Sequence, residues 1–340
     1  MTTLQQDSEL VELTASELLP ILIDHAQAGE SVGIEGPPGG GKSSLVAEAA
    51  RAAGLPLFVN NLELSDVTDG KGLPFRDTEN PHQQVWIKDK RWLTGLPMAY
   101  FHDELPRASV AVQGSIASLL LENRLDDLTL PAGCWHVWAG NRTADRAGAN
   151  RVPSIIYNRC FMYGLRYDAE SQIEYMLGLP EAETDLLTVR YLRMKGDAAL
   201  AFDPAQKINP TPRAWTTASR KLAGLPTTHF ATLAGVIGKG FATELLAFRQ
   251  MADSLPTQEE ILLNPHSARV PEGFSAQFLV TDCMADAATV TTFDGLVDYA
   301  QRLPPELQAK FVKDSLKRCP AIASTRAFVQ WGVKFAEVLR

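Results

Sequence analysis

One run of residues near the start of the chain has the types and spacing of a phosphate-binding loop. Residues 36–43 read Gly-Pro-Pro-Gly-Gly-Gly-Lys-Ser and satisfy G-x-x-x-x-G-K-[ST]. In this pattern the glycines let successive backbone N–H groups turn toward one anion, the lysine reaches the outer phosphates and the hydroxyl ligates Mg²⁺. The residues predicted to contact a nucleotide are Gly36, Pro37, Pro38, Gly39, Gly40, Gly41, Lys42, Ser43 and Ser44.

The residues on either side of the loop favour a strand before it and a helix after it. Residues 31–34 suit a short β-strand, and residues 44–53 are rich in alanine, which has the highest helix propensity. This context separates a functional phosphate loop from a glycine-rich surface turn that matches by accident. Glu35 lies directly before the loop, where a carboxylate would tend to repel phosphate unless it points away.

A second motif could hold the metal and activate water. Residues 98–102 suit a buried strand, and Asp103 and Glu104 follow directly. An aspartate at such a strand end can hold the Mg²⁺ shell, and the adjacent glutamate can orient and polarise a water toward the γ-phosphate of ATP. We therefore predict that Asp103 joins Ser43 at the metal and that Glu104 is catalytic. The alternative is a strand closed by acidic residues at a solvated edge. His102 is expected to pack in the core.

A third polar residue follows the next buried strand. Residues 134–140 are apolar and are followed by Asn141. Its side chain could hydrogen-bond the γ-phosphate or the attacking water, so we predict a catalytic role. The alternative is an asparagine that forms a turn.

The pattern of apolar residues predicts the elements that carry these motifs. Strands alternate with helices up to Tyr167, which indicates an α/β fold with a parallel sheet and helices on both faces. Before the loop, residues 8–30 are predicted to form a leading helix with a capping box at residues 14–17. In the α/β part we further predict an insertion at residues 62–97, a hairpin within 124–130 and a strand at 159–165 entered from 153–158. After it we predict helices at 169–177, after 209 and within 231–251, followed by a loop-like stretch at 252–275. The tail is predicted to be helical with one apolar face, formed by Phe328, Trp331, Phe335, Val338 and Leu339.

Composition limits the partners and the compartment. The formal net charge is -8 and the pI is about 5.4, which disfavours a broad nucleic-acid-binding face. Residues 88–92 are the best candidate for a local basic loop, although a solvated loop with one buried tryptophan is the expected role. No apolar run is long enough to span a membrane and no signal peptide is recognised, so a cytoplasmic location is predicted. The four cysteines are scattered, as expected for reduced core residues.

In this order the motifs resemble those of AAA+ ATPases of the MoxR type, a group often paired with von Willebrand factor A domain proteins. Residues 36–43 match Walker A, residues 98–104 match Walker B and are followed by 105–108, and residues 139–142 match sensor 1. Residues 152–161 match the arginine-finger segment, and Pro212-Arg213 matches sensor 2. Together the motifs cover roughly residues 10–240, and their joint order is more specific than any one of them.

The resemblance implies a fold, an assembly and further site residues. It implies a P-loop parallel sheet (residues 1–167), an α-helical lid (168–251) and a helical C-terminal extension (252–340). It also implies a homo-oligomeric ring, usually hexameric, with ATP at each subunit interface. Arg159 would act in trans on a neighbour's γ-phosphate, with Arg151, Arg146 and Arg142 as rivals, and Arg213 would contact the nucleotide in cis.

The predicted function is Mg²⁺-dependent ATP hydrolysis that drives chaperone-like remodelling of a partner protein. One alternative is a nucleic-acid motor or loader, which would need basic hairpin tips where this chain has Asp126 and Asp127. Another is a non-hydrolysing nucleotide-dependent scaffold. The intact site residues disfavour it: Lys42, Ser43, Asp103 and Glu104.

Overall fold

The computed structural model describes residues 10–80, 82–142, 150–225 and 228–334. Its contacts divide the described chain into two compact units. The first comprises the residues up to Tyr175 together with Leu200–Thr217, and the second comprises Met176–Ala199 together with the residues from Ala218 onward. The division into a core, a lid and an extension at residues 167 and 251 stays a prediction.

The first unit is built on a six-stranded parallel sheet, with two short antiparallel hairpins outside it. The strands are β1 (Glu12–Leu13), β2 (Val32–Glu35), β3 (Leu57–Asn61), β4 (Leu73–Arg76), β5 (Gln84–Ile87), β6 (Ala99–Asp103), β7 (Arg124–Leu125), β8 (Leu128–Thr129), β9 (Trp135–Gly140) and β10 (Phe161–Leu165). The sheet has the order β1-β10-β2-β9-β6-β3, and every neighbouring pair of strands in it is parallel. The hairpins are β4-β5 and β7-β8. The parallel sheet with flanking helices and a helical C-terminal region confirms the fold class predicted from the sequence.

Helices flank the sheet and supply the regular structure that follows β10, together with short 3-10 turns. They are α1 (Ala15–Ala28), α2 (Lys42–Ala52), α3 (Val67–Lys71), α4 (Val110–Glu122), α5 (Ser154–Tyr157), α6 (Ala169–Leu177), α7 (Leu186–Lys195), α8 (Pro212–Gly224), α9 (Phe230–Ile237), α10 (Lys239–Ala252), α11 (Gln258–Leu263), α12 (Phe274–Asp286), α13 (Phe293–Ala300), α14 (Pro305–Arg318) and α15 (Arg326–Lys334). Short 3-10 turns occur at Leu62–Leu64, Lys90–Trp92, Leu105–Arg107, Glu181–Glu183, Gly196–Leu200 and Pro320–Ser324.

Apolar side chains cover both faces of the sheet. On β6, Ala99 and Phe101 join one core cluster with α1 and α2, while Tyr100 joins a second cluster with α4. On β9, Val137 and Trp138 divide between the same two clusters. This alternation follows from the two-residue period of a strand and explains why the strands read as nearly continuous apolar runs.

The leading helix is shorter than the sequence predicted. The Thr14 side chain accepts from the backbone of Glu17, and the Glu17 carboxylate accepts from the backbone of Thr14, so the capping box is confirmed. The helix begins at Ala15, and the prediction of a helix from residue 8 was wrong. Glu12–Leu13 instead forms β1, because it pairs in parallel with Gly164 and Leu165 of β10.

Short elements fill the predicted insertion at residues 62–97, which contains α3, the β4-β5 hairpin and two 3-10 turns. Trp92 holds the far end of the insertion to the sheet, since it is buried and its ring stacks on that of Tyr100 of β6, with the ring centroids 5.1 Å apart. The hairpin predicted within residues 124–130 is confirmed as β7-β8.

The strand predicted at residues 159–165 is confirmed as β10, which begins at Phe161, and residues 154–157 in the segment that leads into it form α5. One further local prediction was wrong. Residues 252–275 were expected to be loop-like, but they contain α11, which Thr257 and Glu260 start with a capping box. The predicted tail helix is present as α15, and Trp331 is buried there. Phe335, Val338 and Leu339 lie outside the described residues.

The second unit has its own core and one fully buried carboxylate. Helices α11 to α15 pack around Phe293, Phe311 and Tyr299, which are all buried. Asp282 of α12 is 0% exposed and is surrounded by basic side chains of α7 and α14.

Within the described residues, no helix is long and apolar enough to cross a membrane. All four cysteines are free thiols that are buried or half-buried.

Candidate nucleotide-binding site

The phosphate loop lies between the end of β2 at Glu35 and the start of α2 at Lys42. The Gly36 N–H donates to the carbonyl of Gly140 at 3.2 Å, so the loop leaves the sheet beside the end of β9. Gly39 and Gly41 have φ values of +75° and +84°. Side chains are strained in this left-handed region, and glycine adopts it freely. The glycine pattern thus has a direct backbone cause.

Close packing imposes a second requirement on the loop. A Cβ at Gly36 would lie 2.8 Å from the Leu165 carbonyl oxygen. A Cβ at Gly39 would lie 2.9 Å from Thr211 Oγ1, and a Cβ at Gly40 would lie 2.9 Å from a ring carbon of Tyr167. Larger residues at these positions would displace the loop.

Lys42 is buried, and its ammonium group is surrounded by oxygen acceptors. Nζ donates to the carbonyls of Gly36 and Pro37 at 2.8 Å and 3.1 Å, and to Asn141 Oδ1 at 2.9 Å. Since a lysine ammonium has three donors, these contacts hold the charge at the base of the loop.

Ser43 and Asp103 are brought together from two different elements. Ser43 Oγ, in the first turn of α2, donates to Asp103 Oδ2 at 3.3 Å. Asp103 is the last residue of β6. A hydroxyl and a carboxylate are oxygen ligands of the kind that Mg²⁺ prefers, so this donor set fits a magnesium ion. No cluster of three or more His, Cys, Asp or Glu that could hold a metal occurs in the part of the chain that the structure describes.

Glu104 adopts a strained backbone conformation directly after Asp103. Its φ of 56° and ψ of 38° place it in the left-handed region, which costs a non-glycine residue about 1–3 kcal/mol. Its N–H donates to Asp103 Oδ1 at 3.0 Å. Backbone strain of this kind is common in active sites and, together with the contacts of the side chain, marks Glu104 as a candidate functional residue.

Asn141 connects Lys42 to Glu104. Its Oδ1 accepts from Lys42 Nζ, and its Nδ2 lies 3.4 Å from both carboxylate oxygens of Glu104. The residue is buried directly after β9. Because β2, β9 and β6 are adjacent parallel strands, their carboxyl ends bring the loop, Asn141 and Glu104 to one edge of the sheet.

Glu35 has a specific partner. The Tyr157 hydroxyl of α5 donates to Glu35 Oε1 at 2.5 Å. Burial, together with this contact and the negative charge of Glu35, raises the pKa of the Tyr157 phenol. The two side chains line a polar cavity of about 320 Å³ that Asn141 and Arg151 also line. The carboxylate therefore has a place in the fold beside the loop.

The arginines predicted to contact the nucleotide, in cis or in trans, have different surroundings within the first unit. The Arg213 N–H donates to the Gly39 carbonyl at 3.3 Å, so the start of α8 contacts the phosphate loop while the Arg213 side chain is exposed. The half-buried Arg159 guanidinium donates to the Ala117 carbonyl of the same chain. Arg151 is exposed, and Arg142 pairs with Glu12 at 3.1 Å. Arg146 lies outside the described residues.

Two residues at the loop were not predicted from the sequence. The Tyr167 hydroxyl donates to the Pro38 carbonyl, and the Thr211 side chain packs against Gly39. Both lie far from the loop along the chain. Thr211 precedes Pro212 at the start of a predicted helix, and this position in the sequence could have marked it as a candidate contact. No feature of the sequence around Tyr167 marks it in this way.

A phosphate loop between a strand of a parallel sheet and the helix that follows is the arrangement of a P-loop nucleotide-binding fold. Among solved structures, a mutant of RuvB from Thermotoga maritima is 16% identical, with 73% of this chain and 74% of that chain covered and a TM-score of 0.40. NtrX from Brucella abortus in complex with ADP is 12% identical, with 94% and 68% covered and a TM-score of 0.42. No protein-family model matches the chain, and no curated protein matches it.

Proposed function

We propose that this protein is a Mg²⁺-dependent ATPase. One observation carries the proposal: Asn141 joins Lys42 of the phosphate loop to Glu104, beside the Ser43–Asp103 pair. A phosphate cradle, a pair of metal ligands and a carboxylate next to an amide are the parts that phosphoryl transfer to water requires.

Each residue of the site has a separate task in this proposal. Lys42 exchanges its contacts with loop carbonyls for contacts with the outer phosphates of ATP. Glu104 orients the attacking water and accepts its proton, and Asn141 fixes the position of the Glu104 carboxylate. Ser43 and Asp103 hold Mg²⁺, which when bound neutralises phosphate charge. Gly36 to Gly41, Ser44 and Arg213 line the nucleotide.

The binding half of the proposal is tested by Lys42→Ala. Loss of the ammonium should abolish nucleotide binding, measured with a fluorescent ATP analogue in the presence of Mg²⁺. Glu122→Gln is a matched control, because Glu122 is an exposed carboxylate that pairs with Arg124 at 3.9 Å. Unchanged nucleotide affinity in Lys42→Ala would mean that the loop is not the binding site.

We further propose that the protein is an ATPase of the MoxR type that forms a ring and remodels a partner protein in the cytoplasm. The order of motifs from residue 36 to residue 213 supports this assignment, with residues 168–251 as the lid. A von Willebrand factor A domain protein is the expected partner. Capture of such a protein by the Glu104→Gln variant with ATP, but not without nucleotide, tests the proposal; capture that is indifferent to ATP contradicts it.

The charged side chains of the candidate basic loop do not support the alternative of a nucleic-acid motor, because acidic residues pair with them. Lys88 lies 2.7 Å from Asp127 and 3.5 Å from Asp126, so the acidic hairpin turn pairs with the best candidate basic loop. Arg91 pairs with Asp89 at 2.6 Å. A salt-sensitive gel shift with single-stranded DNA would revive this alternative.

A further inference from the structure

The Glu104 carboxylate has a basic neighbour in addition to Asn141. Arg107 ends the 3-10 turn Leu105–Arg107 that starts directly after Glu104, and its Nε lies 3.8 Å from Glu104 Oε2. The same guanidinium reaches a second carboxylate, since Nη1 lies 2.9 Å from both oxygens of Glu63. Arg107 therefore lies between the proposed catalytic carboxylate and a carboxylate of another element.

Glu63 belongs to the first turn of the insertion. It lies in the 3-10 turn Leu62–Leu64, directly after β3. Leu62 of this turn and Leu105 of the turn after Glu104 are buried in the same core cluster, which also contains Trp92 from the far end of the insertion. The two ends of the insertion are thus packed against the strand and turn that carry Asp103 and Glu104.

The rigid guanidinium of Arg107 couples the position of Glu63 to that of Glu104. A guanidinium is a rigid plane with donors in fixed positions, so a displacement of the edge held by Glu63 also displaces the edge that faces Glu104. The hydrogen bonds to Glu63 raise the pKa of Arg107, and the charge of Glu104 acts in the same direction. All three side chains are partly exposed, at 36% for Arg107, 43% for Glu63 and 28% for Glu104, so the contact can adjust without disrupting the core.

We propose that Arg107 is a positioning residue for Glu104 and that Glu63 controls Arg107, so that the first turn of the insertion sets the rate of hydrolysis. This inference rests on the proposed ATPase function. When a partner or a neighbouring subunit displaces the insertion, the guanidinium moves and the carboxylate of Glu104 moves with it. A small displacement of a water-orienting group is enough to change the rate of the chemical step.

The test compares kcat and KM for ATP in Arg107→Ala, Glu63→Gln and the double variant. Arg107→Ala should lower kcat by about 10-fold or more while KM changes by less than about twofold, because a catalytic group is displaced and the nucleotide contacts are kept. Glu63→Gln should also lower kcat. The double variant should match Arg107→Ala alone, since Glu63 acts through Arg107. Arg107→Lys keeps the charge without the planar fork and should give an intermediate kcat.

Arg124→Ala is the matched control, because Arg124 forms an exposed pair with Glu122 away from Glu104. It should hydrolyse ATP at the wild-type rate. A wild-type kcat in both Arg107→Ala and Glu63→Gln, or additive effects in the double variant, would overturn the inference. Glu104→Gln is measured in parallel: activity in that variant would reject the proposed catalytic role itself, whereas inactivity with fully active Arg107 variants would reject the positioning role of Arg107 alone.

Discussion

Two histidines next to the candidate site are held in the neutral form. His102 and His136 are buried on neighbouring strands, with their rings stacked at 5.7 Å and His102 Nε2 at 3.4 Å from His136 Nδ1. His136 Nε2 donates to Asn123 Oδ1 at 2.8 Å. Burial lowers the pKa of His136 to about 4, and burial together with His136 lowers the pKa of His102 well below its usual value of 6.5. His102 is thus a packing residue.

This pair predicts a loss of stability in mild acid. With both folded-state pKa values depressed, the unfolded chain binds more protons below pH 6.5, so the free energy of unfolding should fall as the pH drops from 6.5 to about 4. In His136→Gln, the glutamine side chain keeps an N–H that can reach Asn123, and it has no titratable group. Urea unfolding at neutral pH and near pH 4 should show a smaller fall for His136→Gln than for the wild type; the same fall in both proteins would contradict the assignment.

At the scale of residues, the motifs that could be predicted are the local ones. The glycines and Lys42 could be predicted because backbone conformation and side-chain reach act over a few positions. Tyr167 could not, because its contact with the loop depends on the pairing of β10, which ends two residues before it, with β2, which leads into the loop. Glu35 shows the same limit: the sequence gives its charge, but the distant Tyr157 determines its contact.

At the scale of elements, long and strongly patterned segments were predictable and short ones were not. Helix α4 follows its apolar spacing, whereas β1 has two residues and depends on β10 for its pairing. The capping box at Thr257 and Glu260 was a visible signal for α11, but the prolines around it favoured a loop. Helices shorter than about two turns depend on tertiary packing for most of their stability.

The second unit contains an element-scale feature with a clear energetic consequence. Asp282 of α12 lies 2.9 Å from Arg193 and 3.4 Å from Arg190 of α7, and 3.1 Å from Arg318 of α14. Asp286 of α12 adds pairs with Arg190 and Arg318 at 2.7 Å and 2.9 Å. One buried carboxylate therefore joins three helices, and its removal takes one carboxylate partner from each of three half-buried guanidinium groups.

We expect Asp282→Asn to lower the free energy of unfolding by about 3–5 kcal/mol, the usual effect of breaking a buried ion pair from one side. Urea unfolding followed by circular dichroism measures the change. Asp298→Asn is the control, because the Asp298 side chain is 45% exposed and lies 3.9 Å from the exposed His266; it should change stability by less than about 0.5 kcal/mol. Equal effects of the two substitutions would contradict a stabilising role for the Asp282 cluster.

At the scale of the whole molecule, the proposed ring predicts that active sites are shared between subunits. If Arg159 acts in trans, Arg159→Ala subunits supply an intact Glu104 and Glu104→Gln subunits supply an intact arginine. Mixtures of the two inactive variants should therefore regain part of the ATPase activity. Mixing each variant with Lys42→Ala protein is the control for nucleotide binding. No recovery at any ratio would count against Arg159 and favour Arg151, Arg142 or Arg146 as the residue that acts in trans.

In the proposed function, Glu104 activates water for ATP hydrolysis at a site built by Lys42, Asn141 and Asp103. The most direct measurement is phosphate release from saturating Mg²⁺-ATP by the wild-type and Glu104→Gln proteins, with ATP binding measured on the same samples. We predict that the wild type turns over and that Glu104→Gln binds ATP equally well but releases phosphate at least about 100-fold more slowly. Turnover at the wild-type rate by Glu104→Gln would contradict the role of Glu104, and no turnover by the wild type in any oligomeric state would contradict ATP hydrolysis.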